Sequence, residues 1–148
     1  MSLEILNIAL ADDDEDDRMI FNEVIEELDM KTKLSLFKNG QELMDYLRLP
    51  NIVLPNLIFL DLNMPVKNGM QCLLEIRQNP ALKDLAIAIY STSSSEKDIE
   101  ETFVNGANIY INKPTNFSTL RGVIEKVLQL NWQYKTSNLN RETFLFRI

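Results

Sequence analysis

The stretch Leu57–Gly69, "LIFLDLNMPVKNG", runs through four apolar residues and then turns polar at Asp61. A strand with one wet face alternates apolar and polar residues. An unbroken apolar run bounded by turn residues instead suits a strand covered on both faces, as in a parallel sheet between helical layers. Asp61 then stands at the carboxyl edge of that sheet, where open α/β sheets bind their ligands.

The same punctuation recurs along the chain. Leu6–Ala11 and Ala86–Tyr90 are further apolar strand-like runs, Thr32–Phe37 alternates, and Ile109–Ile111 is a short fifth strand. Helical stripes fill the intervals. Phe21, Val24, Ile25 and Leu28 follow the first strand, Leu43, Met44 and Leu47 the second, and Met70, Leu73 and Leu74 the third. Ser93 with Glu96 spells a capping box for a fourth helix ending near Asn105-Gly106. Leu120, Val123, Ile124, Val127 and Leu128 mark a fifth helix. Strand and helix thus alternate five times, which predicts one α/β domain with a parallel sheet. Residues 131–148 fall outside this pattern and carry Trp132, Tyr134, Phe144 and Phe146. They are expected to extend the last helix and pack on their own domain; an arm for a partner or a second copy is the alternative.

Composition narrows the function. The 148 residues carry a net charge of −7, no His and one Cys. An acidic chain is poorly suited to nucleic-acid phosphates, which need clustered Lys and Arg. Without His there is no Ser-His-Asp or Cys-His catalysis. Cys72 cannot close an internal disulfide, which fits a reducing compartment, and it reads as a packing residue. No apolar run approaches a membrane span and no secretory leader is visible, so the cytoplasm is the expected location.

The chemistry gathers at the strand ends. Asp12 and Asp13 follow the first strand, Asp61 the third, Ser91 the fourth and Lys113 the fifth. Each alone has a plain reading as a helix cap, a turn residue or a solvated charge. Asp14, Glu15, Asp16 and Asp17 are read in that way, as complements to a helix dipole on an exposed first turn. Their coincidence at one edge is what favours a site. Asp12 or Asp13 together with Asp61 suits Mg²⁺, which takes hard oxygen ligands and usually one or two carboxylates. A backbone carbonyl such as that of Asn63 can complete the shell. An ionised carboxylate beside Mg²⁺ can accept a phosphoryl group. Lys113 can then pair with the phosphoryl oxygens and Ser91 can donate to another.

Four motifs carry a family resemblance: "LADDD", "FLDLNMPVKNG", "IYST" and "YINKP". Over about residues 5–130 the chain resembles a CheY-like response regulator receiver domain of the stand-alone type. The resemblance implies a flavodoxin-like α/β fold with a five-stranded parallel sheet of order 2-1-3-4-5. It implies phosphorylation of Asp61 and a Mg²⁺ site of Asp12, Asp13, Asp61 and the Asn63 backbone carbonyl. Ser91 takes the switch hydroxyl position, Tyr110 the switch aromatic, Lys113 the phosphoryl-binding lysine and Gly69 the loop glycine. The Lys113-Pro114 bond is cis in most such domains. The implied partners are a sensor histidine kinase or histidine phosphotransfer protein and a downstream protein target contacted through the α4–β5–α5 surface. Neither nucleic acid nor membrane is implied, and a homodimer is compatible. Thr92 stands where many relatives have Ala, and its bulk narrows access to the phosphoryl group. The long loop "RLPNIVLPN", residues 48–56, resembles stand-alone receivers of phytochrome-type or hybrid kinases. No output domain is expected after the last helix.

Three other readings compete. A phosphatase of the haloacid-dehalogenase type needs a second acid two residues after the nucleophile, where Asn63 cannot do acid–base work. A vestigial interaction module fits poorly with a full set of competent residues. A calcium loop lacks its glycine and follows a strand rather than a helix.

Overall fold

A computed structural model describes residues 5–130 and the backbone of 145–146. The elements run β1 (Leu6–Ala11), α1 (Glu15–Glu27), β2 (Thr32–Phe37), α2 (Gly40–Leu47), β3 (Leu57–Leu60), α3 (Gly69–Gln78), β4 (Ala86–Ser91), α4 (Glu96–Val104), β5 (Ile109–Asn112), α5 (Phe117–Gln129) and β6 (Leu145–Phe146). All pairings are parallel, and the sheet order is β2-β1-β3-β4-β5-β6. The five expected strands and their order 2-1-3-4-5 are present. The sixth adds two residues at the β5 edge, Leu145 against Tyr110 and Phe146 against Ile111. Nothing in so short a segment distinguishes it from a loop in sequence, and the rest of the 131–148 extension lies outside the described residues.

Period-two alternation divides the core between the two faces of the sheet. Ile8, Leu10, Leu57, Phe59, Ala88 and Tyr90 point toward α1 and α5, where Phe21, Val24, Val123, Ile124 and Val127 meet them. Ala9, Ala11, Ile58, Leu60, Ile87 and Ile89 point toward α2, α3 and α4, meeting Leu43, Met44, Leu73, Ile76 and Ile99. Both faces of β3 and β4 are therefore dry, which is why these strands read as unbroken apolar runs. Phe21, Phe59 and Tyr90 pack edge to face, with centroids 4.8 to 6.3 Å apart, directly beneath the carboxyl edge.

Helix starts are set by side-chain caps. Asp14, Asn39, Asn68 and Asn116 each accept a backbone N–H from three residues on, and Asn68 forms a full capping box with Gln71. For α4 the expected cap is displaced by two residues. Ser95 accepts from the Asp98 amide, while the Ser93 hydroxyl donates to the Asp98 carboxylate at 2.6 Å. Three serines in a row offered equivalent caps, and the one nearest the apolar stripe took the role.

Arg77, in the last turn of α3, fastens the opposite end of the sheet. Its guanidinium donates to the carbonyls of Gly106, Lys83 and Leu85 and to Asn108 Oδ1, at 2.6 to 2.9 Å. Asn108 Oδ1 also accepts from the Ile87 amide at 2.8 Å. One side chain thus joins α3, the loop into β4 and the loop into β5.

Candidate functional site

Each strand that the sequence singled out delivers its polar residue to one edge. β1 ends in Ala11, so Asp12 and Asp13 emerge together; Asp12 is fully buried and Asp13 exposed. Asp12 Oδ1 accepts from the Asp14 amide at 3.0 Å. Asp61 follows β3, nearly buried, and its Oδ1 accepts from the Asn63 amide at 3.3 Å. Oxygens of Asp12, Asp13 and Asp61 all lie within 4.8 Å of one another. Three carboxylates so close repel unless a cation stands between them. Hard oxygen donors with one exposed member fit a small divalent ion that keeps part of its water shell.

Lys113 supplies positive charge from the far side. Its Nζ lies 2.7 Å from Asp12 Oδ2, 2.9 Å from Asp17 Oδ2 and 3.4 Å from Asp61 Oδ2, and 5.0 Å from the centre of the Tyr90 ring. Burial alone pulls the Lys113 pKa down, but the hydrogen bonds it donates to Asp12 and Asp17 and the charges of Asp61 and Asp12 outweigh it, and the net shift is upward. The ammonium therefore stays charged. The Asp61 carboxyl is also raised above its ordinary value. Burial raises its pKa most and the charge of Asp12 adds to that; Lys113 and the Asn63 amide oppose, leaving it raised to about 6.

Ser91, the last residue of β4, is buried, and its Oγ accepts from the Ser93 amide at 3.1 Å. Tyr110 is fully buried against the α4 side of the core and its hydroxyl donates to the Ser93 carbonyl at 2.7 Å. Asn112 Nδ2 donates to the same carbonyl at 3.0 Å. The β4–α4 loop is thus held by two side chains of β5.

Gly69 is required by close approach. A Cβ there would overlap the backbone carbonyl of Asp61. Three residues earlier, exposed Val66 adopts a positive φ of 67°, closed by a 2.7 Å bond from the Lys67 amide to the Pro65 carbonyl. A β-branched residue is strained there. Val66→Asn is expected to stabilise the fold by about 0.5–1 kcal/mol in urea unfolding, because its side chain is exposed and little packing is lost.

Pro114 corrects one expectation. The Lys113–Pro114 bond is trans, as are all peptide bonds among the described residues. An X–Pro bond prefers trans by only about 0.5–1 kcal/mol, so its surroundings decide. Just before this bond, the Lys113 amide donates to the Ser91 carbonyl at 2.8 Å and continues the β4–β5 ladder.

The sequence reading missed Asp17, which was assigned with its neighbours to the helix dipole. A signal for it existed. Asp17 stands four residues before Phe21 and seven before Val24, so it continues the buried face of α1 up to the sheet edge.

Residues 8–125 match the response regulator receiver domain family model. This chain belongs to that family. It is 32% identical over 124 residues to response regulator Rcp1 of Synechocystis sp., covering 81% of this chain and 84% of that one. It is 28% identical to the probable methanogenesis regulatory protein FilR2 of Methanothrix harundinacea, covering 84% of each. Among solved structures, the phosphorylated cyanobacterial phytochrome response regulator RcpA superposes with a TM-score of 0.80 at 30% identity, over 93% of this receiver and 98% of that chain. The Mn²⁺-bound form of Rcp1 superposes at 0.78 and 31% identity, over 84% and 96%. The protein is thus a two-component signalling receiver, close to stand-alone regulators. Among its described residues no helix is long and apolar enough to cross a membrane.

Proposed function

We propose that this receiver accepts a phosphoryl group on Asp61 from a phosphohistidine of a sensor kinase or phosphotransfer protein, and signals through protein contacts. The observation that carries this reading is the buried Asp61 carboxylate, held within 4.8 Å of Asp12 and Asp13 and facing the Lys113 ammonium. An Asp61 oxygen attacks phosphorus as the N–P bond breaks. The bonding electron pair stays on the imidazole nitrogen, which takes up a proton if it is not already neutralised. Mg²⁺, held by Asp12, Asp13, Asp61 and the Asn63 carbonyl, would neutralise charge on the phosphoryl oxygens. Lys113 holds one of those oxygens and the Ser91 hydroxyl donates to another. The groove lined by Ile20, Tyr90, Thr92, Lys113, Pro114 and Phe117 gives a donor side chain a route to the site.

Output follows from the β4–α4 loop. Once Ser91 turns its hydroxyl to the phosphoryl group, its acceptor role toward Ser93 changes. Ser93 is the residue whose carbonyl Tyr110 and Asn112 grip. Phosphorylation shifts the population of loop states by its differential interaction with them, altering the α4–β5–α5 surface. On this reading the protein catalyses only its own phosphorylation and dephosphorylation and works in the cytoplasm, with its receiver over 5–130 and an extension at 131–148. The extension's role and a homodimer are separate matters for solution measurement.

The reading is tested by incubating the protein with acetyl phosphate, with and without Mg²⁺, and weighing the intact chain. A gain of one phosphoryl group only with Mg²⁺ is expected. Multiple turnover of small phosphomonoesters without a stable adduct would point instead to a phosphatase.

A further inference from the structure

Lys113 has three N–H donors and three carboxylates around it, but it does not divide itself evenly. Asp12 and Asp17 hold it at 2.7 and 2.9 Å, whereas Asp61 lies at 3.4 Å. Asp17 is therefore a tighter partner of the lysine than the residue read above as the acceptor. It is not a member of the carboxylate trio whose oxygens converge within 4.8 Å.

Its position is built in. The Asp14 amide donates to Asp12 Oδ1, and Asp14 Oδ1 accepts from the Asp17 amide, each at 3.0 Å. Two hydrogen bonds thus tie the place of Asp17 to Asp12. The two tight partners differ in what they can do next. Asp12 is fully buried and cannot exchange the ammonium for water without leaving an unpaired buried charge. The Asp17 side chain is 35% exposed, so water can take the ammonium's place on it at small cost.

We propose that Asp17 is a positioning residue for Lys113, holding its ammonium off the Asp61 carboxylate until a phosphoryl group arrives. This rests on the receiver reading and deepens it. A lysine paired closely with Asp61 would occupy a lone pair that the attack needs. Held to one side, it leaves that oxygen freer. After transfer, the phosphoryl oxygens carry more negative charge than one carboxylate and draw the ammonium across, while Asp17 rehydrates. Asp17 is then a competitor of the phosphoryl group for Lys113, and its own charge opposes an incoming anion. Both effects act in the same direction, so removing the charge should tighten anion binding.

The test is titration of the full chain with trifluoroberyllate, a tetrahedral phosphoryl mimic, in saturating Mg²⁺, followed by ¹⁹F NMR. Mg²⁺ affinity is measured separately by calorimetry. Asp17→Asn is expected to bind trifluoroberyllate about three- to fivefold more tightly, the range an exposed to half-buried ion pair allows. Mg²⁺ affinity should fall by no more than about threefold, since the lost charge attracts the nearby cation only weakly across solvent, and Asp17→Glu should restore both values because the charge returns. A purely structural role for Asp17 would not tighten binding. Equal or weaker trifluoroberyllate binding by Asp17→Asn, with the wild type binding normally, overturns the proposal and leaves the receiver reading standing. A fall in Mg²⁺ affinity of about tenfold or more also overturns it, since that exceeds what an exposed charge supplies and Asp17 would then ligate the metal. Absence of binding by the wild type defeats the receiver reading, and the proposal with it.

Discussion

Asp61→Asn is expected to abolish phosphoryl acceptance while making the metal-free protein more stable at pH 7. The first effect is chemical: an amide oxygen lacks the charge and nucleophilicity of a carboxylate. The second follows from the raised pKa. The unfolded chain's Asp61 ionises near 3.8, but the folded one holds its proton to about 6. Between these values the native state binds more protons than the unfolded state, so stability falls as pH rises through the window, and the full penalty is present above it. A shift of that size corresponds to about 2–3 kcal/mol. Asparagine removes the penalty, and Lys113 keeps Asp12 and Asp17 as partners. Urea unfolding in chelator should therefore show the variant ahead of wild type at pH 7 and the two converging near pH 4. A variant less stable than wild type at pH 7 would contradict the account of a strained, buried acid. Mg²⁺ should raise the stability of wild type, since a ligand that binds only the native state stabilises it.

The second large effect lies far from the site. Arg77→Met keeps the aliphatic stem and removes the guanidinium that serves the carbonyls of Gly106, Lys83 and Leu85 and the Asn108 side chain. Hydrogen bonds from a charged donor contribute more than neutral ones, and the acceptors left behind include half-buried carbonyls. A loss of about 3 kcal/mol is expected, seen as a lower urea midpoint with unchanged slope. An Asp61 that still accepts phosphoryl in this variant would show that the fastening is structural. A midpoint like that of wild type would mean that water satisfies these carbonyls as well as Arg77 does.

These two residues mark what could and could not be read in the sequence. Asp61 was legible because β3 is dry on both faces, so its four apolar residues stand out and the acid that ends them is placed at the sheet edge. Asp12, Ser91 and Lys113 were legible for the same reason, each being first or last at a strand end. Gly69 was legible by its place in the loop motif, although the reason for it, contact with the Asp61 carbonyl, needed the fold. Arg77 was not legible. Its partners lie six to thirty-one residues away and are mostly backbone carbonyls, which carry no sequence signature. Asp17 was hidden among six consecutive acids, where charge alone could not separate the one facing inward. The cap of α4 was misplaced by two residues because Ser93, Ser94 and Ser95 are chemically equivalent, and Leu145–Phe146 is too short to show a period. The isomer at Pro114 is set by surroundings that the Lys-Pro pair does not encode.

Among the crowd of acids at this edge, the proposed acceptor is Asp61. Treatment with acetyl phosphate and Mg²⁺, followed by borohydride reduction and peptide mass mapping, tests it most directly, because reduction converts an aspartyl phosphate to homoserine and fixes its position. Homoserine is expected at residue 61 and at no other acid of the edge. Homoserine at Asp12, Asp13 or Asp17, or none after treatment that leaves the fold intact, would contradict it.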